Sequence, residues 1–318
     1  MLVRALLLAA ALAATPCAAQ DYPNRTIRFI VPFGAGGPTD VFTRALGEEL
    51  RKSLGQPTVM ENRPGAGTII GTTEVARSAP DGYTLLMISA TQTTVETLNP
   101  NKSYRLTRDF VPVASLMSSE LVLVVPERSP INSLADLIAL AKAKPGTLNY
   151  GSSGPGSNYH MAGELIKNLA GLDIVHVPYK GSTGARTDII SGQIDMMFDS
   201  VPTMAPTIEA GRVRALGTSG KARSPILPNV PTIAEAGIPD YNATIWIGVM
   251  APAGTPKKIV DLLNREINKI LVRPDIQESW RRQGANTMVM SPQEFGGYIQ
   301  SEIDRWARLI KANNINVN

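Results

Sequence analysis

The chain has 318 residues, with 31 Lys and Arg against 27 Asp and Glu, and a formal charge of +4. Its basic residues are scattered without a run and aromatics make up only 5%, which excludes the clustered basic footprint of nucleic-acid binding. One cysteine and two histidines exclude a disulfide framework and a metal centre built on Cys and His spacing.

Residues 1–4 bring one positive charge, 5–14 are an unbroken run of Ala and Leu, and Thr15-Pro16-Cys17-Ala18-Ala19 offers small residues. That is the pattern of a secretory signal peptide, too short for a membrane span of roughly 20 apolar residues. Cleavage is expected after Ala19. Pro16 stands where a lipobox wants a small residue before Cys17, so free export is expected, not a lipid anchor. Loss of Arg4 takes the charge from +4 to +3 and leaves a mature chain without cysteine. A chain of this size buries roughly 75% of its unfolded surface without disulfides. No later segment is apolar enough to span a bilayer.

In chain order, residues 26–32 (TIRFIVP) form a β-rich run, and FGAGGPTD at 33–40 follows as a Gly-rich turn. A helical pattern then places Val41, Ala45, Leu46, Leu50 and Leu54 on one face. Strand, turn and helix make the first half of a βαβ unit. The pattern repeats as a strand over 57–61, a turn at Pro64-Gly65-Ala66-Gly67 and a helix over 69–77. A further buried strand is expected over 83–89. From Leu121 the alternation restarts, with strands over 121–125, 148–152, 173–178, 194–200 and 213–218. Helices over 133–143, 157–169, 183–191 and 203–210 fall between them. Ser133 to Asp136 reads as a capping box. Residues 224–241, rich in Pro and Gly, break the series. A strand over 244–251, a helix over 257–271 and a short strand over 287–290 follow. Ser291-Pro292-Gln293-Glu294 opens the last helix.

This order predicts an α/β protein of two lobes, each a mostly parallel sheet flanked by helices. The closing helices lack a sheet of their own, so the first domain is discontinuous, residues 20–121 and 245–318, and the second is 122–244. Strands at 121–125 and 244–251 cross between them as a hinge. Ligands of open α/β sheets bind beyond the carboxyl ends of the strands, so two facing sheets define a cleft.

Two loops can carry chemistry. At 33–40 the glycines expose backbone N–H groups beside an electropositive helix start, which suits a carboxylate or phosphate. The dinucleotide fingerprint is missing, since Thr39 and Ile70 stand where a third Gly belongs. A plain connecting turn, with Asp40 as an acid at the helix start, is the other reading. At 151–160 (GSSGPGSNYH), Ser157 is placed to cap and hydroxyls face the helix start. An esterase elbow is absent, because Pro155 follows Gly151-x-Ser153. His160 lies three residues into the helix, where packing is commoner than base catalysis. Gly217 to Lys221 has the wrong spacing for a phosphate loop. Asp195 and Asp199 share one side of a strand, as a carboxylate pair or as a strand end meeting a helix. The residues therefore point to a binding protein, not an enzyme, with no cofactor and no metal. A secreted serine hydrolase using Ser153 or Ser157 with His160 is the competing class, and it lacks an evident third member.

Taken together, the motifs resemble the tripartite tricarboxylate transporter receptors, the Bug family. VPFGAGGPTD (31–40) is similar to their opening motif. The similarity continues through ENRPGAG (61–67), PDGYTL (80–85), NYGS (149–152), VPYKG (177–181), DMMFD (195–199), PTIAEAG (231–237) and Trp246-x-Gly248. Each motif is short, and their order across nearly the whole mature chain carries the resemblance. It implies a monomeric periplasmic binding protein of type II that takes a small organic mono- or dicarboxylate. Membrane permease subunits would receive the ligand, and a sensor role toward a membrane kinase would use the same closure. The resemblance also implies a ligand neighbourhood. Phe33, Gly34, Ala35, Gly36, Gly37 and Thr39 lie at one end, with Ala90, Thr91 and Gln92 beside it in a loop after Ser89. Ser152, Ser153, Gly156, Ser157 and His160 come from the other lobe, with Lys180, Gly181 and Asp199 nearby.

Overall fold

The computed structural model describes residues 22–179 and 181–315. The expected signal segment over 1–19, Cys17 and Lys180 lie outside the described residues. The first elements are β1 (Ile27–Val31), α1 (Pro38–Leu54), β2 (Thr58–Asn62), α2 (Ile69–Ala76), β3 (Thr84–Ser89) and α3 (Ala90–Leu98). Next come α4 (Leu106–Asp109), β4 (Phe110–Pro126), α5 (Leu134–Ala143), β5 (Asn149–Ser152), α6 (Asn158–Ala170) and β6 (Val175–Pro178). The chain continues through α7 (Ser182–Ser191), β7 (Met196–Ser200), α8 (Val201–Glu209), β8 (Val213–Thr218) and β9 (Thr244–Pro252). It closes with α9 (Lys257–Leu271), α10 (Pro274–Arg282), β10 (Ala285–Thr287) and α11 (Pro292–Ala312). Among the described residues no helix is long and apolar enough to cross a membrane.

The strands follow the order β2-β1-β3-β9-β4-β7-β5-β6, with β10 and β8 also on β4. Strands built by βα units are parallel: β1 with β2 and β3, and β5 with β6 and β7. The crossing strands β4 and β9 run against their neighbours, so each half is mixed. β4 is the joint between the halves. Through Glu120 it pairs with β9 and β10, and from Leu121 with β7 and β8. It is 17 residues long, far longer than the 121–125 expected. Its serines hide the first part in sequence. Ser115 and Ser119 donate to the carbonyls of Met288 and Gly284 at 2.8 and 2.7 Å, so their hydroxyls are satisfied inside the sheet.

The buried face of α1 differs from the expected one. Val41 is 42% exposed and Ala45 is exposed, while Thr39, Thr43 and Gly47 are buried with Phe42, Leu46 and Leu50. Two facts reconcile these small and polar residues with burial. The Thr43 hydroxyl donates back to the Thr39 carbonyl. A Cβ at Gly47 would meet Met60 Cε at 1.8 Å and Thr58 Oγ1 at 2.9 Å, so any larger residue would have to displace the Met60 side chain for α1 to lie this close to β2. The segment after Ser89, expected as a loop, is the first turn of α3. Ser89 Oγ accepts from Thr91 N and Gln92 Oε1 accepts from Ser89 N, a capping box in which Ala90, Thr91 and Gln92 are helical.

The final helix binds both halves. Phe295 and Ile299 pack with Trp246, Leu86 and Ile88. Further along, Trp306, Leu309 and Ile310 enter the core of Tyr150, Met161 and Phe198 in the second half. Between them Glu302 Oε2 accepts indole N–H bonds from Trp246 and Trp306, each at 3.2 Å.

Candidate functional site

The loop after β1 is held by polar contacts from its own motif and the next. Gly36 adopts φ +79°, a conformation glycine reaches without a side-chain clash, and its N–H donates to Asp40 Oδ2 at 2.9 Å. Asn62, inside ENRPGAG, donates to the Phe33 carbonyl at 3.1 Å and to Asp40 Oδ1 at 3.0 Å. Burial disfavours the Asp40 carboxylate, but Arg44, the Gly36 N–H and Asn62 outweigh it and hold its pKa below the usual value. Helix α1 starts at Gly37, which has no side chain to cap it, and carries at its first position Pro38, which has no N–H to leave unbonded.

In the second half, Ser157 caps α6 by accepting from His160 N at 3.3 Å. Gly156 N–H donates to His160 Nδ1 at 2.9 Å, and the Gly156 carbonyl accepts from Thr94 Oγ1 on α3 at 2.9 Å. The rings of His160 and His176 stack at 3.9 Å, and Tyr150 stacks on His176 at 4.9 Å. Burial above all lowers His160 to about 3 and His176 to about 4; the charges of His176 and Lys167 add to it at His160, while Glu164 opposes it at His176. Both are neutral at ordinary pH. The His160 ring nitrogen Nδ1 is thus occupied by a backbone donor, and Ser157 Oγ by a backbone N–H. The close serine–histidine contact is instead Ser152 Oγ to His176 Nε2 at 2.7 Å, with Ser152 fully buried.

Helix α7 starts at Gly181 (φ +109°), again without a side-chain cap. Arg186, one turn in, donates to Asp199 Oδ2 at 2.5 Å and to Ser182 Oγ at 2.8 Å. Asp199 is 0% exposed and also accepts from Ser200 N. Desolvation raises its pKa and Arg186 opposes that. Asp195 accepts from Asn149 N at 2.8 Å, so the two acids serve separate partners.

These loops enclose a cavity of about 880 Å³. Phe33, Gly34, Gly37, Thr39, Thr91, Ser153, Ser157 and Gly181 line it. Ala35, Ala90, Gln92, Ser152, Gly156, His160 and Asp199 are not in its wall; Gln92, Ser152, His160 and Asp199 are buried behind the loops. Gly36 opens instead onto a second cavity of about 440 Å³ that shares Pro38 and Ile245 with the first. The sequence reading did not include the Pro64–Thr68 turn, Asn158, Tyr159, Ser182 or Ile245 among the site residues, yet all are in the wall. Within that turn Ala66 and Thr68 have φ of +46° and +85°, a conformation that costs non-glycine residues about 1–3 kcal/mol and gathers at functional sites. The described residues of the wall are uncharged and offer hydroxyls, an amide, apolar surface and two helix starts without a side-chain cap. Among the described residues no group of three or more His, Cys, Asp or Glu could hold a metal. Such a wall can bind an anion through backbone donors.

The model of the tripartite tricarboxylate transporter family receptor matches residues 42–315. BugT of Bordetella pertussis is 41% identical over 94% of this chain and 92% of its own length. A protein from the tcbD–tcbE intergenic region of Pseudomonas sp. strain P51 is 40% identical over 93% of this chain and 89% of its own. Among solved structures, an R. palustris protein with adipate has a TM-score of 0.86 at 35% identity, covering 93% of this chain and 99% of that one. MatC from Rhodopseudomonas palustris with bound malate has a TM-score of 0.81 at 33% identity, covering 91% and 100%. The fold is accordingly the two-lobed architecture of periplasmic solute-binding proteins, and the chain belongs to the tripartite tricarboxylate transporter receptor family.

Proposed function

We propose that the protein captures a small organic carboxylate in the larger cavity, in the periplasm, and delivers it to the permease subunits of a tripartite tricarboxylate-type transporter. The observation that carries this reading is the pair of glycine-started helices. Gly37 and Gly181, one from each half, both stand in the wall of one cavity and neither has a side-chain cap. A helix start left open in this way favours negative charge. The solved relatives with adipate and malate support a carboxylate of that size. A few charge-assisted hydrogen bonds, at about 1.5–3 kcal/mol each, reach the roughly 8 kcal/mol of a micromolar ligand after the cost of association. No catalytic group is needed, and the occupied His160 Nδ1 speaks against a hydrolase built on Ser153 or Ser157.

Ligand contacts to both halves would favour a closed form. In this reading the domains are 20–121 with 245–318, and 122–244. The change of β4 partners between Glu120 and Leu121 supports that boundary. A thermal-shift screen of the mature protein against organic acids tests the function. An acid at a hundred times its Kd adds about 2.7 kcal/mol to stability, which shows as a raised Tm. A panel of mono- and dicarboxylates, adipate and malate included, that leaves Tm unmoved would contradict it.

A further inference from the structure

Behind the Pro64–Thr68 turn, three buried hydroxyls have no hydrogen-bond partner among the described residues: Thr68 Oγ1, Thr72 Oγ1 and the Tyr104 OH. Their residues are 3%, 0% and 1% exposed. Buried threonines on other helices are satisfied locally. Thr43 donates to the Thr39 carbonyl, Thr93 to that of Ala90 and Thr94 to that of Thr91. Thr72 makes no such bond, and Thr68 stands at the N-cap of α2 without capping it through its side chain. The i, i+4 spacing puts both threonines on the side of α2 that carries Val75 into one cluster with Tyr104. Next along the helix, Thr73 Oγ1 lies 3.4 Å from the hydroxyl of Ser103, the residue before Tyr104. Burial raises the pKa of Tyr104, and Thr72 and Thr68 lie close enough to its oxygen to counter part of that. The tyrosine is fixed from both sides in the chain. Lys102 pairs with Glu96 of α3 at 3.1 Å, and the Leu106 N–H donates to the same carboxylate at 2.9 Å.

We propose that Thr68, Thr72 and Tyr104 bind one internal water molecule, which braces the Pro64–Thr68 turn of the cavity wall from behind. An internal water makes about three hydrogen bonds, typically to polar groups that nothing else satisfies. Three hydroxyls from two segments supply that number. Each can donate or accept, so the water can donate two of the bonds and accept the third. Three desolvated hydroxyls facing one another without bonds would be costly. The site also accounts for a turn that holds against its own backbone preference, with Ala66 and Thr68 at positive φ. Through the water, the Thr68 hydroxyl is tied to α2 and to Tyr104, and the turn cannot relax without breaking those bonds. The water stands independently of the carboxylate reading; its effect on affinity rests on that reading.

The first test is a crystal structure of the protein without added ligand, at a resolution that shows ordered water. One peak is expected at hydrogen-bonding distance, about 2.5–3.0 Å, from all three hydroxyl oxygens. No peak between them, or a peak ringed by about six or more oxygens as a hard cation requires, overturns the proposal. Thr72→Val and Tyr104→Phe each remove one hydroxyl at nearly constant shape, and Thr72→Ser keeps it. Circular dichroism checks the fold of each variant. The first two should lose the water and bind adipate, or the best acid of the thermal screen, roughly threefold to tenfold more weakly. Thr72→Ser should keep both the water and the affinity. A role in overall stability alone would lower Tm and leave the affinity unmoved. Folded variants that lose the water and bind as tightly as the parent protein therefore overturn the brace. If no acid binds the parent, the carboxylate reading falls by itself. The variant crystal structures then decide the brace, which is overturned if Ala66 and Thr68 keep their positive φ after the water is lost.

Discussion

Replacing Thr94 with Val removes one hydroxyl and keeps the shape of the side chain. That hydroxyl donates to the Gly156 carbonyl at 2.9 Å, joining α3 in the first half to the loop that leads into α6 in the second, 62 residues away in sequence. It also lies 2.7 Å from the Thr91 carbonyl of its own helix. One proton serves both acceptors, so the bridging bond is weaker than a dedicated one. A net bond contributes about 0.5–1.5 kcal/mol, and a buried carbonyl left unsatisfied costs about 1–3 kcal/mol. The shared proton puts the expected loss at about 1–2 kcal/mol. If the proposed opening exposes Gly156 to water, the loss falls on closure alone. At about 1.4 kcal/mol per factor of ten, adipate or another bound acid should lose roughly 5- to 30-fold in affinity. Calorimetry gives the affinity, and thermal unfolding without ligand gives the fold. Thr94→Ser should restore binding. Unchanged affinity together with a lower ligand-free Tm would refute the reasoning, because the bond would then stabilise the fold and not closure.

Gly248→Ala should destabilise by about 1–3 kcal/mol in urea unfolding, since a Cβ there meets Phe295 Cζ at 2.2 Å and the Ala114 carbonyl at 2.8 Å. A change below about 0.5 kcal/mol would show that this part of the sheet yields easily. Arg186→Met should cost about 3–5 kcal/mol by leaving Asp199 buried without its partner, and adding Asp199→Leu should recover much of it; no recovery would mean that Arg186 acts by packing. Stability should also fall on acidification from about pH 6.5 to about pH 4. Unfolded histidine takes its proton near 6.5, while burial holds His160 to about 3 and His176 to about 4. The unfolded chain thus binds more protons in that window, by up to about 1.4 kcal/mol per pH unit for each histidine. Below it the native histidines protonate as well and the loss levels off. Denaturation at pH 7, 6 and 5 measures the slope, and His160→Gln should remove its share; a flat profile contradicts the neutral stack.

Continuous apolar runs made much of the fold legible. TLLMIS in β3 and TIWIGVMA in β9 read as strands and form largely buried strands. What escaped was polarity satisfied at a distance. The serines of β4 bond to carbonyls more than 160 residues away, and a local pattern cannot contain that. Helix α3 (ATQTTVETL) lacks an apolar stripe, although Ser89-x-x-Gln92 carried its start signal. On α1, Leu46 and Leu50 read on the core face and lie there, but the buried threonines and glycine turn that face away from Val41 and Ala45. The loops around the cavity showed themselves through glycine and serine, but the division of labour within them did not. His160 works by accepting from Gly156 N–H inside a stack of three rings, and only the fold brings His176 and Tyr150 to it.

The most direct test of the central claim is a titration of the isotope-labelled mature protein with adipate, or with the best acid from the thermal screen, followed by backbone amide NMR. The account predicts saturable shifts at the amides that start both α1 and α7, Thr39 and Asp40 from one half and Ser182 and Thr183 from the other, with one common Kd. Shifts confined to a single half at saturation, or shifts that leave both helix starts unmoved, would contradict capture of a carboxylate between the two.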